Sequence, residues 1–441
     1  MQLSSLLGHT QELFGLIRSS RKPADSVIDS YFRIRRYLGS HDRRFIAETT
    51  YGTLRHLRSC ETRVDQILRG FDGAEADDRS LLAVTAYLFH HEHRTDLTAE
   101  VVAAKIRSAA VKSGLPEILL RLSGSTIPDA QEQGPLAVRY SFPDWMMERF
   151  LAQFGLNETR KLCESLNQSA PLTLRVNTLK TTVEECQGRL RTEGIETTQT
   201  SLSPAGLTVP KRVNIFALQS FRDGWFEVQD EGSQLLPLLI DPKPTWKVLD
   251  ACAGAGGKSL ALAALMKNRG EVFATDVQAF RLEELRKRAR RAGASNVRVS
   301  LVEDFASKHP WTQGYFDSVF VDAPCSGVGT IRRNPGLKWV VEEKVVDELR
   351  EKQLRILSSN TKFVKPAGSL MYATCSLFRE ENEDVVERFL GAHSDFSMED
   401  IGPRAEKAGI GDAVDGSFVK LLPHRHGTDG FFCATLVKRD Q

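Results

Sequence analysis

Two cysteines follow apolar runs in the C-terminal half of the chain and could supply a nucleophile. Cys325 stands in VDAPCSGVGT and Cys375 in YATCS, each after a run typical of a buried strand. A single buried cysteine is usually a packing residue, but two at neighbouring strand ends are harder to assign to packing. A thiolate can add to carbon 6 of a cytosine, after which carbon 5 can attack a methyl donor, and a second thiol or a base can assist loss of the carbon 5 proton.

A glycine-rich loop further upstream predicts a cofactor site. VLDACAGAGGKS joins a predicted strand to a helix, and its glycines let a ligand approach the backbone. One interpretation is a Rossmann-like site for S-adenosylmethionine, with Lys258 near the cofactor's carboxylate. The alternative is the P-loop of a nucleotidase using Gly257, Lys258 and Ser259, although Cys252 stands where that pattern has its first glycine.

Three aspartates end consecutive predicted strands. Asp276 lies roughly 20 residues past the glycines, where a carboxylate can hold two ribose hydroxyls. Asp304 is predicted to accept a hydrogen bond from an adenine amino group. Asp322 is predicted to bond the polar edge of a cytosine and stabilise charge on the ring. Because open α/β sheets bind ligands at the carboxyl ends of their strands, the three should share one site.

Alternating strands and helices should position these residues. From about residue 245 the pattern predicts a doubly wound parallel sheet closed by the antiparallel strands SFVKLLP and FFCATLVK. The predicted strands are Lys247 to Ala251, Val272 to Thr275, Val297 to Leu301, Ser318 to Val321 and Ser369 to Ala373. The predicted helices are Leu260 to Met266, Ala279 to Ala292, Glu343 to Val364 and Asn382 to Leu390.

The preceding chain predicts two further domains. Residues 1–123 carry helical periodicity and a group of arginines suited to phosphate contacts, namely Arg33, Arg35, Arg36, Arg43, Arg44, Arg55 and Arg58. Residues 124–139 are predicted as a linker because they are rich in Gly, Pro and polar residues. Residues 140–235 predict a small α/β domain, and residues 236–441 the Rossmann-like domain. The predicted fold class is therefore multidomain: all-α, then α+β, then α/β.

Composition limits the remaining possibilities. The 441 residues carry a net charge of +2, which by itself does not indicate a nucleic-acid partner. Seven cysteines, without a CxxC pair, predict free thiols in the cytoplasm and no zinc site. In HHEH, only His90 and His93 share a helix face, so no metal is predicted. No apolar run reaches 18 residues, so no membrane partner is predicted. We expect a monomer.

The sequences DACAGAGGK, DAPCSGVGTIRRNPGLKW and TCSLFREENEDVV together resemble the RNA cytosine-5 methyltransferases of the Fmu/Sun (RsmB, NSUN) family. The resemblance implies that Cys375 is the nucleophile, that Cys325 promotes release of the methylated RNA, and that ribosomal RNA of the small subunit is the partner. The helical N-terminal region is similar to the NusB-like RNA-binding domain of RsmB-type members. LTLRVNTLK resembles the family's strand leading to the RNA-facing part, which implies RNA contacts by Arg175 and Asn177.

The resemblance also implies a set of cofactor residues. They are Cys252, Ala253, Gly254, Ala255, Gly256, Gly257, Lys258, Asp276, Arg281, Asp304 and Asp322. Where the family usually has APGGK, this chain has Gly254 and Ala255 in the first two positions, and loss of the proline makes the loop less rigid. Two other functions stay open from the sequence: the P-loop nucleotidase, and a non-catalytic RNA-binding protein of the antitermination type.

Overall fold

The chain folds into two compact units. The computed structural model describes residues 1–20, 22–71, 73–124, 135–210 and 213–440. The helical unit consists of Met1–Gln168 and Ile331–Glu342, and the sheet unit of Ser169–Thr330 and Glu343–Gln441. The helical unit therefore includes a short segment that follows the predicted Cys325 loop in the chain.

Helices build the helical unit and flank the sheets of the sheet unit. Numbered along the chain, they are α1 Leu3–Ser19, α2 Ala24–Ile34, α3 Ser40–Arg55, α4 Leu57–Leu68, α5 Ala76–His90, α6 Ala99–Ala103, α7 Ala109–Ser113, α8 Leu115–Gly124, α9 Leu136–Arg139, α10 Asp144–Leu166, α11 Val183–Thr192, α12 Gln219–Arg222, α13 Glu231–Ile240, α14 Gly257–Leu265, α15 Ala279–Ala292, α16 Val302–Lys308, α17 Leu337–Val340, α18 Glu343–Asn360, α19 Glu383–Ala392, α20 Gly402–Lys407 and α21 Pro423–His426. In the part of the chain that the structure describes, none of them is long and apolar enough to cross a membrane.

Strands occur in the sheet unit. They are β1 Leu172–Val176, β2 Thr198–Gln199, β3 Gly206–Val209, β4 Phe226–Val228, β5 Lys247–Asp250, β6 Glu271–Asp276, β7 Val297–Leu301, β8 Phe316–Asp322, β9 Val364–Thr374, β10 Phe396–Met398, β11 Val414–Asp415, β12 Phe418–Leu421 and β13 Phe431–Lys438. The first four form a small antiparallel sheet in the order β2-β3-β1-β4. The others form a large sheet in the order β11-β12-β13-β9-β8-β5-β6-β7, with β10 paired to β13.

The large sheet has the predicted doubly wound core. Strands β9, β8, β5, β6 and β7 pair in parallel, and β13 pairs antiparallel with both β9 and β12. Strand Val297–Leu301 and helix Ala279–Ala292 have the bounds that the sequence predicts. The predicted helix from Glu343 ends instead at Asn360, because a 3₁₀ turn follows and Val364 begins β9. The sheet therefore brings the carboxyl ends of β5, β6, β8 and β9 to one edge.

The helical unit packs two hydrophobic clusters and contains a buried lysine. Leu81 and Leu82 of α5 lie in one cluster, and Phe14 of α1 in the other. Lys338 of α17 is fully buried, and its Nζ donates to the carbonyls of Arg55 and Ser141, each at 3.0 Å. Burial lowers the pKa of Lys338 well below its usual value. The segment 331–342 thus completes the interior of this unit.

The predicted domain boundaries differ from this division. Helix α10 belongs to the helical unit, because the Arg58 guanidinium donates to the Phe142 carbonyl and to Asp144 at the start of α10. The predicted middle domain, 140–235, is therefore divided between the units. Of the predicted linker, 125–134 lie outside the described residues and Leu136–Arg139 form α9. Arg55 is buried and donates to the Arg332 carbonyl, so it does not form part of the exposed phosphate-binding surface that the sequence suggested, and the partly exposed Arg58 pairs with Asp144.

The RNA contacts expected of Arg175 and Asn177 are also wrong. Asn177 is buried, and its Nδ2 donates to the carbonyls of Gly224 and Ala292, each at 2.8 Å. Arg175 is buried in β1, where burial lowers its pKa to about 10 although Glu227 opposes that shift. Both side chains are structural residues of the sheet unit.

Candidate functional site

A cavity of about 730 Å³ opens at the carboxyl ends of β5, β6, β8 and β9. This volume is within the range of roughly 300–1,000 Å³ that is typical of small-molecule sites. Its lining includes Cys252, Ala253, Gly254, Ala255, Gly257, Lys258, Asp276, Arg281, Asp322, Cys325 and Cys375. The structure thus brings together nearly all of the predicted site residues.

The glycine loop forms one wall of the cavity. Gly254 and Gly256 have φ values of +55° and +86°, a left-handed backbone conformation that residues other than glycine rarely adopt. A Cβ at Gly256 would lie 2.4 Å from Leu285 Cγ, so this glycine permits close packing against α15 and does not itself line the cavity. The other residues of the loop face the cavity, as the sequence predicts.

Asp276 connects the end of β6 to the glycine loop. Its Oδ2 accepts from the Gly254 amide at 3.0 Å, and its Oδ1 accepts from the Gln278 amide at 2.8 Å. A carboxylate oxygen has two lone pairs, so each can accept a further hydrogen bond from a ligand in the cavity. This geometry suits a pair of ribose hydroxyls.

Asp304 does not line the cavity. It lies in α16, and its Oδ2 accepts from Lys308 Nζ at 2.6 Å one turn later. Val302 and Phe305 of the same helix line the cavity instead. The structure therefore does not place Asp304 where the sequence predicted a contact with adenine.

Lys258 and Asp322 form an ion pair inside the cavity. Lys258 Nζ donates to Asp322 Oδ2 at 2.5 Å and lies 5.5 Å from the centre of the Phe431 ring. Burial lowers the pKa of Lys258, but the Asp322 carboxylate outweighs burial and the net shift is upward. Lys258 therefore stays a cation beside the cysteines.

The P-loop alternative does not fit this arrangement. In a P-loop, the lysine reaches phosphates and the following hydroxyl binds magnesium. Here Lys258 pairs with Asp322, while the buried Ser259 hydroxyl donates to Asp250 at 2.6 Å. Both groups already have protein partners, so the geometry disfavours a nucleotidase.

The two predicted cysteines lie against each other. Cys325 Sγ and Cys375 Sγ are 3.2 Å apart, and both side chains are partly accessible from the cavity. The pKa of Cys325 is raised well above its usual value, chiefly by its hydrogen bond with Cys375 and further by burial, by the charge of Cys375 and by the charge of Glu381. Cys325 is therefore held as a thiol, whereas Lys258 interacts electrostatically with Cys375.

Helix α18 contributes a wall that the sequence reasoning missed. Lys352, Ile356, Ser359 and Asn360 all line the cavity, followed by Lys362 and Phe363. Their spacing of three or four residues places the helical members on one face, which was a detectable signal in the sequence. Phe431, at the start of β13, also lines the cavity although the sequence indicated only a strand there.

The remaining histidines and cysteines have structural surroundings. Within the described ranges, no group of three or more His, Cys, Asp or Glu could hold a metal ion. Of the HHEH sequence, His90 Nε2 lies 2.7 Å from the Leu122 carbonyl oxygen, and His91 stacks on His56. Cys60, Cys163, Cys186 and Cys433 are buried, as expected of packing residues.

The doubly wound sheet, with its ligand cavity at the strand ends, defines a multidomain protein with a C-terminal Rossmann-like methyltransferase fold. Known proteins agree with this class. The family model for 16S rRNA methyltransferase RsmB/F matches residues 237–437, and the model for the ferredoxin-like domain of RsmF/B-like methyltransferases matches residues 142–216.

The chain belongs to the RsmB/F family of 16S rRNA methyltransferases. The probable ribosomal RNA small subunit methyltransferase B of Synechocystis sp. is 33% identical over 416 residues, covering 91% of this chain and 92% of that protein. The protein of the same description from Bacillus subtilis is 30% identical over 419 residues, covering 91% and 92%. A solved methyltransferase homolog from Pyrococcus horikoshii is 28% identical with a TM-score of 0.58, covering 68% of this chain and 97% of that chain.

Proposed function

We propose that this protein transfers a methyl group from S-adenosylmethionine to carbon 5 of a cytosine in small-subunit ribosomal RNA. The observation that carries the proposal is the pair of sulfur atoms, 3.2 Å apart, in a cavity that also contains the glycine loop and Asp276. The family supports ribosomal RNA as substrate, since the relatives are described as methyltransferases of the small subunit.

The cavity has the groups needed to hold the cofactor. Asp276 would accept from its ribose hydroxyls, and the loop 252–258 would lie against its methionine part. Arg281 lines the same cavity and is a further candidate contact. When bound, the cofactor supplies an activated methyl group on a positively charged sulfur.

The protein's own residues perform the covalent steps. The Cys375 thiolate forms a bond to carbon 6 of the base, and the electron pair displaced to carbon 5 forms a bond to the methyl group, whose bond to the donor sulfur breaks and leaves its electrons there. A base then removes the carbon 5 proton, and the electrons of that bond restore the ring double bond as the Cys375 sulfur leaves. Cys325, held as a thiol at 3.2 Å, can donate its own proton to the departing thiolate and regain one from water.

Asp322 and Lys258 hold the base during this sequence. Asp322 accepts from Lys258 and keeps a second oxygen for the cytosine amino group, which is a hydrogen-bond donor. The Lys258 cation stabilises negative charge that develops near Cys375. Both groups are in place before RNA binds, so little reorganisation is needed.

Substitution of each cysteine tests the proposal. We expect Cys375→Ala to lower methylation by roughly 10³-fold or more and to give no covalent adduct. Cys325→Ala should accumulate a protein–RNA complex that survives denaturing electrophoresis, because the leaving thiolate lacks its proton donor. Radiolabelled methyl transfer to ribosomal RNA measures the first effect.

Cys186→Ala is the matched control, since Cys186 is buried in the core of the small sheet. It should methylate RNA at the wild-type rate and leave no adduct. Normal methylation by Cys375→Ala would overturn the assignment of the nucleophile.

Titration calorimetry tests the cofactor. S-adenosylmethionine should bind and ATP with magnesium should not, and Asp276→Ala should weaken binding of the cofactor at least about tenfold, since hydrogen bonds to a charged group contribute roughly 1.5–3 kcal/mol. Tighter binding of ATP with magnesium than of S-adenosylmethionine would instead support a nucleotidase.

RNA binding by the helical unit is part of the same proposal. Arg33 and Arg36 are exposed on this unit and remain available for phosphate contacts. A NusB-like role for this unit, action as a monomer and a cytoplasmic location remain predictions from the sequence.

A further inference from the structure

A fully buried carboxylate lies behind the two cysteine loops. Glu381 belongs to the 3₁₀ turn before α19, and its side chain has no exposure to solvent. Oε1 accepts from the Ser326 amide at 2.8 Å and from Gln353 Nε2 at 3.0 Å. Oε2 accepts from the Ser326 hydroxyl at 2.5 Å and from the Ser376 hydroxyl. One carboxylate therefore binds the residue that follows each cysteine.

Neighbouring hydrogen bonds fix this arrangement from both sides. The two serine hydroxyls are 3.2 Å apart, and Gln353 also donates to the Pro324 carbonyl at 3.0 Å. The Tyr372 hydroxyl donates to the backbone carbonyl of Glu381 at 2.6 Å. The loops cannot separate without breaking several buried hydrogen bonds, each of which would leave a polar group without a partner.

The charge of Glu381 also distinguishes the two sulfur atoms. All four donors to its carboxylate named above are neutral, so its negative charge is not cancelled by a cation among them. That charge raises the pKa of Cys325, after the larger effects of its hydrogen bond with Cys375, of burial and of the charge of Cys375. On the other side, the Lys258 cation interacts with Cys375. An anion therefore acts on one thiol and a cation on the other.

We propose that Glu381 is the positioning residue that holds the two cysteines in contact and whose charge favours the protonated form of Cys325, the thiol that stands beside the nucleophile Cys375. The distance between the two cysteines follows from the hydrogen bonds of the Glu381 carboxylate to both cysteine loops. The assignment of chemical roles rests on the proposed function, because only an adduct through Cys375 gives Cys325 a proton to deliver.

Alkylation of each cysteine by iodoacetamide as a function of pH tests the charge. The two cysteines fall on different tryptic peptides, so mass spectrometry follows them separately in the full chain. In Glu381→Gln, we expect the midpoint for Cys325 to fall by about one pH unit, since removal of a nearby like charge lowers a thiol's pKa by that order.

Glu383→Gln is the matched control. Glu383 is also buried, lies two residues away and pairs with Lys420, without a hydrogen bond to either cysteine loop among its described contacts. Its Cys325 midpoint should equal that of the wild type. A Glu381→Gln protein that melts like the wild type and keeps the wild-type midpoint would overturn the role of the charge.

Ser376→Ala separately tests whether Glu381 positions the two cysteines. It removes one of the hydroxyl groups that bind the carboxylate but keeps the charge, so the Cys325 midpoint should not fall while methylation slows about tenfold, as expected for loss of one hydrogen bond to a charged group. Methylation at the wild-type rate would contradict the positioning role. This variant carries the test if Glu381→Gln does not fold.

The alkylation readout needs neither RNA nor cofactor. If Glu381→Gln shifts the Cys325 midpoint but Cys375→Ala still methylates RNA, the role of Glu381 stands and the proposed reaction fails. If the Cys325 midpoint is unchanged in Glu381→Gln and Cys375→Ala is inactive, the proposed reaction stands and the role of Glu381 fails. The two proposals can therefore fail independently.

Discussion

The helical unit and the sheet unit each contain buried or partly buried ionisable groups, and groups of opposite kinds can be compared between them. In the helical unit they are the base Lys338, surrounded by carbonyls, and the partly buried His56, whose ring centroid lies 3.6 Å from that of His91. In the sheet unit they are the carboxyl groups of Glu381, surrounded by hydroxyl and amide donors, and of Asp250, which accepts from Ser259. Neutral hydrogen-bond partners compensate only part of the cost of removing a charge from water.

This difference predicts opposite responses of the two units to acid. Burial lowers the pKa of His56 to about 2, so the unfolded state binds a proton that the folded state excludes as the pH falls below 6.5. Burial raises the pKa of Asp250 to about 7, so the folded state binds a proton that the unfolded state releases between pH 3.8 and 7. The helical unit should lose stability on acidification, whereas Asp250 favours the sheet unit there.

The largest effect should come from Lys338. Its pKa is lowered, so the free energy of unfolding should rise by up to about 1.4 kcal/mol per pH unit from that lowered pKa up to about 10.5. Lys338→Met should remove this slope. Hydrogen exchange of α3 and α5 peptides, followed by mass spectrometry at several pH values, measures it for the helical unit alone.

Lys112→Met, at an exposed position of α7, is the matched control and should keep the wild-type slope. If the free energy of unfolding of Lys338→Met keeps the wild-type dependence on pH, the buried amine is charged at all these pH values. Lys338 would then no longer support the contrast between the units.

A smaller effect is expected from His56. Between pH 6.5 and 4.5, its exclusion of a proton should reduce the stability of the helical unit by up to about 1.4 kcal/mol per pH unit. His56→Phe keeps a ring for stacking but cannot titrate, so it should resist acid better than the wild type. Exchange rates of α4 and α5 peptides on acidification provide the measurement, and equal acid sensitivity of both proteins would count against the explanation.

An effect of the opposite sign is expected from Asp250. Asp250→Asn keeps an acceptor for the Ser259 hydroxyl but cannot ionise. Relative to the wild type, it should gain up to about 1.4 kcal/mol of stability per pH unit as the pH rises from 4 to 7, because the wild type must ionise a buried carboxyl there. Exchange in β5 and α14 peptides reports this change, and a relative loss of stability over that range would reverse the sign assigned to the sheet unit.

Local sequence patterns predicted much of the sheet unit because each element is encoded by its own residues. The period of α15 and the apolar runs of β7 and β8 gave elements of the right type. Asp304 shows the limit of such reasoning. Its position after a strand is visible in the sequence, but the structure places it in α16, where it pairs with Lys308 one helical turn later. Local patterns also divided the chain near residue 140, although contacts from distant segments place α10 in the helical unit.

By itself, the sequence determined the two cysteines, the glycine loop and Asp276 as one candidate site, because parallel strands bring their carboxyl ends to one edge. Only the tertiary structure decided that the sulfur atoms are in contact, that Lys258 pairs with Asp322 and that Glu381 binds both cysteine loops. The contact of the two sulfur atoms, the Glu381–Ser326 contact and the Lys258–Asp322 pair join residues 50, 55 and 64 positions apart in the chain. Periodicity reports which face of an element is buried, whereas the choice of partner depends on how separate elements pack, which no local pattern contains.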